Sequence, residues 1–234
     1  MKFHIILYKP SSYWYFNRGG KEWMTNIVGI KIPDSRLALE AQEILKEHGS
    51  DLLWNHSNRV YLFGAIQGKK AKKSFDAELL YVSALFHDLG LTKKFSSVDK
   101  RFEVDGANAA RQFLALHHID EQSIQLVWDA IALHTTIGIA EHKEHEVGLL
   151  YAGVGLDVMG DGYENLTADE RNAVLNAFPR DQFKQKILPA FFEGFKHKPE
   201  TTFGNIKSDV CALFIPNYKP KNFCDCVLHS PWSE

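Results

Sequence analysis

Cysteine is scarce. The 234 residues hold three, Cys211, Cys224 and Cys226, too few for a disulfide framework, so a reducing compartment, the cytoplasm, is expected. Cys224 and Cys226 are separated by a single residue near a chain end and read as free thiols. Long apolar runs are missing too: no stretch suffices to cross a bilayer, and no membrane association is expected. Met1 to Phe16 is apolar and aromatic, but Lys9, Pro10, Ser11 and Ser12 break it. It lacks the uninterrupted centre of a signal peptide. Neither sign of charge dominates. The formal net charge of -2 leaves no electrostatic footprint for nucleic acid or an anionic surface. Internal repeats, low-complexity segments and linkers are likewise absent, so one folded domain is expected.

What the chain does have is helical periodicity. Pro33-Asp34-Ser35 reads as a helix start, and Gly49 as its stop. Ser50 or Asp51 can cap a second helix carrying Leu52, Leu53, His56, Val60 and Phe63, ending near Gly68 before a basic loop, Lys69 to Lys73. Asp76 to Leu89 is strongly apolar and should lie central in the core. A loop from Gly90 to Arg101 precedes helices over Glu103–His118, Glu121–Thr135 and Glu144–Met159. Thr167 opens a capping box with Glu170, and two helices fit between Ala168 and Phe195. The tail from Lys196 reads as irregular and wrapped on the surface. The expectation is an all-α fold, with 1–23 an N-terminal extension, 24–200 the helical domain and 201–234 a tail packed on it.

The chemistry lies in where histidine and aspartate fall. His87-Asp88 ends the most apolar helix. A buried His and a buried Asp each need a partner, because an unpaired charge in a core costs several kcal/mol. A divalent cation would serve both. His56 lies on an earlier apolar segment, and Asp157 sits between Leu156 and Val158 in a later apolar helix. One such residue alone reads as a hydrogen-bonded core group. Three segments in the order His, His-Asp, Asp, each on a predicted helix, point to a shared metal.

Three segments carry a family resemblance: Asn55-His56-Ser57-Asn58-Arg59-Val60, Leu85-Phe86-His87-Asp88-Leu89-Gly90, and Gly155-Leu156-Asp157-Val158. The chain resembles the HD superfamily over roughly residues 30 to 195. The resemblance implies a helical bundle around one metal held by His56, His87, Asp88 and Asp157. Arg101 to Ala107 and Trp128 to Thr136 bring it closer to cyanamide hydratases and related HD-domain proteins. Zinc is the first choice of metal, with iron and manganese compatible with the donors. HD proteins that bind two metals carry extra histidines after the His-Asp pair. Here Phe102 to Gly106 has carboxylates and no histidine, so a single metal is expected.

The resemblance also places His134 at the metal pocket. Glu103 and Asp105 stand two residues apart, so only one should face it. Asp105 reads either as a pocket carboxylate or as a helix-start residue at the positive dipole end. A metal with an open coordination position lowers the pKa of water to about 7. Asp88 is then the candidate to orient or deprotonate that water, with His134 or Asp105 delivering the proton to a nitrile nitrogen. The implied reaction is hydration of a small nitrile, cyanamide to urea, in a small pocket that Trp128, Phe86 and Leu133 could wall. Two alternatives stand beside it. One is a phosphohydrolase that would use Arg59, Lys93 and Arg101 on phosphate. The other is a non-catalytic domain that keeps its metal for folding. The expected partner is a small-molecule substrate, with a homo-oligomer left open.

Overall fold

The computed structural model describes residues 26–202 and 206–233. The expected extension, 1–23, lies outside them. The described residues form an all-α fold of ten helices. They are α1 (Arg36–His48), α2 (Asp51–Lys70), α3 (Ala77–Phe86), α4 (Phe102–Leu116), α5 (Glu121–Leu133), α6 (His145–Met159), α7 (Ala168–Ala177), α8 (Phe183–Phe195), α9 (Ile206–Phe214) and α10 (Phe223–Leu228). A two-stranded antiparallel hairpin, β1 (Asn26–Ile27) and β2 (Ile30–Lys31), precedes α1. Val28 and Gly29 turn it with φ of 53° and 74°, two left-handed positions in a row, as a type I′ turn requires. The sequence reading had no periodicity to show for so short a pair.

The expected starts rest on real caps. Ser35, Ser50, Asp76, Asp120 and Thr167 each accept a backbone N–H from the first turn of their helix, worth about 1 kcal/mol apiece. The box between Thr167 and Glu170 is closed from both sides. The tail is more ordered than expected. It contains α9 and α10, and near its end Trp232 is buried in the main core. The Trp232 indole N–H donates to the Leu156 carbonyl at 2.8 Å, and its ring stacks on Phe63.

α3 is buried from Leu79 to Phe86, as its composition demanded. In α2, residues 56–66 are buried without interruption. It runs through the middle of the bundle against α6. The two backbones approach so closely that a Cβ on Gly153 would lie 2.2 Å from the Val60 carbonyl oxygen. Only glycine fits there, and this close approach brings Asp157 of α6 to His56 and Arg59 of α2.

Candidate metal centre

Four elements supply the site. His56 comes from α2, His87 and Asp88 from the end of α3, His134 from the end of α5, and Asp157 from α6. α3 does not run to Leu89. His87 keeps helical dihedrals, Asp88 turns to φ -102° and ψ 2°, and a 3-10 turn follows over Leu89–Leu91. That corner projects both side chains inward. A Cβ on Gly90 would meet the Phe102 carbonyl oxygen at 1.9 Å, so the start of α4 lies directly on the corner.

His56, His87 and Asp88 are buried, and their donor atoms lie within 4.8 Å of one another. His56 Nε2 stands 3.2 Å from His87 Nε2, and Asp88 Oδ2 lies 3.6 and 3.4 Å from those two nitrogens. The hydrogen-bond partners assign the protons. His87 Nδ1 faces the Ala84 carbonyl at 2.7 Å, and His56 Nδ1 faces Asp157 Oδ2 at 2.6 Å. Carbonyl and carboxylate only accept, so each Nδ1 carries a hydrogen and each Nε2 is the ring nitrogen turned to the cluster. Burial pushes the His87 imidazole down to about 3, against the pull of Asp88. His87 is therefore neutral around pH 7. Both Asp88 oxygens are buried without a hydrogen-bond partner. His134 repeats the pattern, with Nδ1 on the Ile131 carbonyl at 2.6 Å and Nε2 3.7 Å from Asp88 Oδ1.

Three imidazole Nε2 atoms and a carboxylate thus converge in a buried cluster. Such a set is costly alone, because a buried carboxylate without a partner loses several kcal/mol of hydration. A divalent cation satisfies it, and nitrogen with carboxylate oxygen is the donor set of zinc, iron or manganese. The residues fit a metal.

Asp157 departs from its expected role as fourth ligand. Arg59 forks onto it, Nε to Oδ1 at 2.7 Å and Nη2 to Oδ2 at 2.9 Å. Arg180 Nη1 adds a bond to Oδ1 at 3.0 Å. With His56 Nδ1 on Oδ2, both oxygens are fully engaged on the side of His56 away from His87. Asp157 therefore orients His56, an outer partner of the cluster. Burial raises its carboxyl pKa, but Arg59, His56 and Arg180 outweigh that and hold it far below the usual range. Arg59 stands three residues from His56, on the same face of α2, which is a readable signal. Arg180 lies in the loop after α7 and gave none.

Asp105, read either as a pocket carboxylate or as a helix-start residue, stands in the first turn of α4. Its Oδ2 accepts from the buried Lys198 at 2.7 Å and from the backbone and hydroxyl of Ser97. It ties residues 97 and 198 to α4, away from the cluster. Glu103 turns toward α5 and accepts from the Thr135 hydroxyl and from Arg101, both at 2.6 Å. The walls differ as well. Phe183 lies 5.1 Å from the His56 ring, and Phe102 5.6 Å from the His134 ring with Phe191 behind it. Trp128 instead donates to Asn108 and stacks with Arg111, and Phe86 packs on Phe113. His118, His142 and His145 are exposed and His117 half-buried, away from the cluster.

Among the described residues, no helix is long and apolar enough to cross a membrane. A search among curated proteins finds no match. Comparison with protein families matches residues 53–170 to the HD domain. The match spans just over half of the chain and contains His56, His87, Asp88, His134 and Asp157. With the helical fold and the buried cluster of His56, His87 and Asp88, the chain belongs to the HD domain family, whose members are in general metal-dependent hydrolases.

Proposed function

We propose that the protein hydrates a small nitrile, with cyanamide to urea as the defining reaction, at one divalent metal held by His56, His87 and Asp88. Zinc is the first choice on donor chemistry. The observation that carries the reading is the closure of the cluster together with the commitment of its cations. His56, His87, Asp88 and His134 are 0–2% exposed, beneath Phe183 and Phe102. A phosphate would need positive groups at the metal. Arg59 is spent on Asp157 and on the carbonyls of Phe178 and Pro179. Arg101 pairs with Glu103, and Lys93 is exposed. A buried cluster beneath aromatic rings, with the neighbouring cations already paired or exposed, suits a small neutral substrate better than a nucleotide.

The metal, when bound, supplies Lewis acidity that brings the pKa of water to about 7. The chain's residues handle the protons. Asp88, with Oδ1 facing His134 Nε2, takes a proton from water. His134 keeps its Nδ1–H on the Ile131 carbonyl, so Nε2 is the atom that receives and returns a proton. A C–O bond forms as one C–N π bond of the nitrile breaks, and His134 protonates the nitrogen. The product isourea tautomerises to urea. Phe183 and Phe102 keep bulk water from the reacting atoms.

The test is urea release from cyanamide by purified protein, before and after chelation and with zinc or iron added back. Chelator-sensitive urea production is the expected result. Metal-loaded protein that releases no urea would sink the hydratase reading. Phosphate release from nucleotides by the same sample would then favour a phosphohydrolase.

A further inference from the structure

The strongest unassigned feature is Arg180. It lies beyond the residues that match the HD domain, yet it is 5% exposed and bonded to a residue that holds His56. We infer that Arg180 is a positioning residue for the metal site: through Asp157 it fixes the orientation and tautomer of His56. The inference rests on the proposed metal role of His56.

Two groups of Asp157 would lack a donor without Arg180. The first is its backbone carbonyl. α6 ends at a left-handed Gly160, and the amides of Gly160 and Asp161 bond back to the carbonyls of Leu156 and Gly155. That closure bypasses the Asp157 carbonyl, one of the orphan acceptors at a helix end. Arg180 Nη1 donates to it at 2.9 Å. The second is the remaining lone pair of Oδ1. Arg59 takes one lone pair on each oxygen and His56 takes the other on Oδ2. The same Arg180 nitrogen, at 3.0 Å, takes the last.

One nitrogen therefore clamps the side chain of Asp157 to its own backbone. Rotation of the carboxylate, the motion that would carry Oδ2 away from His56 Nδ1, is blocked. The positive guanidinium also complements the negative end of α6. Phe183 links the parts from the other side: its ring lies 4.7 Å from the Arg180 guanidinium carbon, 5.0 Å from that of Arg59 and 5.1 Å from the His56 ring. The loop between α7 and α8 thus completes a site whose ligands all come from earlier elements.

Arg180→Met keeps length and apolar contact but removes the donor. Arg180→Lys keeps a donor. Zinc affinity, measured by competition with a chromophoric chelator well below the melting point of each protein, should fall about 10–100-fold in Arg180→Met. It should recover in part in Arg180→Lys. Imidazole 15N spectra of the metal-free protein should show His56 as a single Nδ1–H tautomer in the wild type and as a mixture in Arg180→Met. Wild-type zinc affinity and an unchanged His56 tautomer in Arg180→Met, with only a lowered melting temperature, would make Arg180 a mere staple and overturn the inference. A wild type that takes up no zinc would refute the metal reading instead, and the tautomer would still decide for or against Arg180.

Discussion

Asp88 and Asp157 are both buried aspartates beside His56, and replacing each by asparagine should move stability in opposite directions. Both Asp88 oxygens lack a hydrogen-bond partner, and Oδ2 lies 3.6 and 3.4 Å from Nε2 of His56 and His87. Asp88→Asn removes the buried charge and offers an amide N–H to those ring nitrogens. Relief of an unsatisfied buried acceptor is worth about 1–3 kcal/mol. At about 2–4 °C per kcal/mol for a chain of this size, metal-free Asp88→Asn should melt several degrees above the metal-free wild type. It should nonetheless bind no metal, having lost the carboxylate between the two histidines. Asp157→Asn leaves the guanidiniums of Arg59 and Arg180 in the core without their counter-charge. Breaking a buried pair from one side costs about 3–5 kcal/mol. Metal affinity should fall about 10–100-fold and not vanish, because an outer partner is lost and not a ligand. Thermal melts in chelator, with metal content measured after reconstitution, read both quantities. Destabilisation of metal-free Asp88→Asn, or metal-free Asp157→Asn alongside metal-bound Asp88→Asn, would refute the assignment of ligand and outer partner.

Three further outcomes follow from the same geometry. His134→Gln should retain metal but lose about 10²–10⁴-fold in turnover, since proton transfer and not ligation is removed; metal analysis beside steady-state rates decides it. Gly153→Ala should destabilise the protein on denaturant titration. Alanine gains up to ~1 kcal/mol in helix propensity, but its Cβ would sit 2.2 Å from the Val60 carbonyl oxygen, and overpacking against backbone costs about 1–3 kcal/mol. Glu103→Gln should flatten the acid limb of stability. Burial raises the Glu103 carboxyl pKa, but Arg101 and Thr135 outweigh it and hold the pKa below its ordinary value. The stabilisation is then complete above the unfolded pKa of about 4.3 and is lost as pH falls through the lower folded value. Within that window the wild type should lose up to ~1.4 kcal/mol per pH unit more than the variant. Parallel acid titrations of the two would count against the Arg101–Glu103 pairing.

The helices and the inner cluster were legible because each is written locally. α3 reads as central from an unbroken apolar run, and Ser35, Ser50 and Thr167 announce helix starts within one turn. His56 and His87-Asp88 stand out as polar groups on such segments, since burial without a partner is too costly to leave unexplained. The same reasoning marked Asp157 as satisfied but gave it to the shared metal, whereas its oxygens are held by Arg59, Arg180 and His56. A buried charge states that it has a partner, and the partner's identity depends on residues far away in the chain. Arg59 could have been paired with Asp157 from its helical register with His56. Arg180 could not, because it stands in an aperiodic loop and reaches Asp157 only after α7 has turned the chain back.

Glu103 and Asp105 illustrate the same divide. Their spacing of two implied that they face different ways, and they do: Glu103 meets Arg101 and Thr135, and Asp105 meets Lys198. What the spacing could not supply was Lys198, 93 residues on and fully buried. Arg180 and Lys198 both lie beyond the HD match and each neutralises a buried acid, Asp157 and Asp105. The candidate ligands lie within the matched segment, whereas the stretch beyond it supplies counter-charges and, through Phe183 and Phe191, an apolar cover.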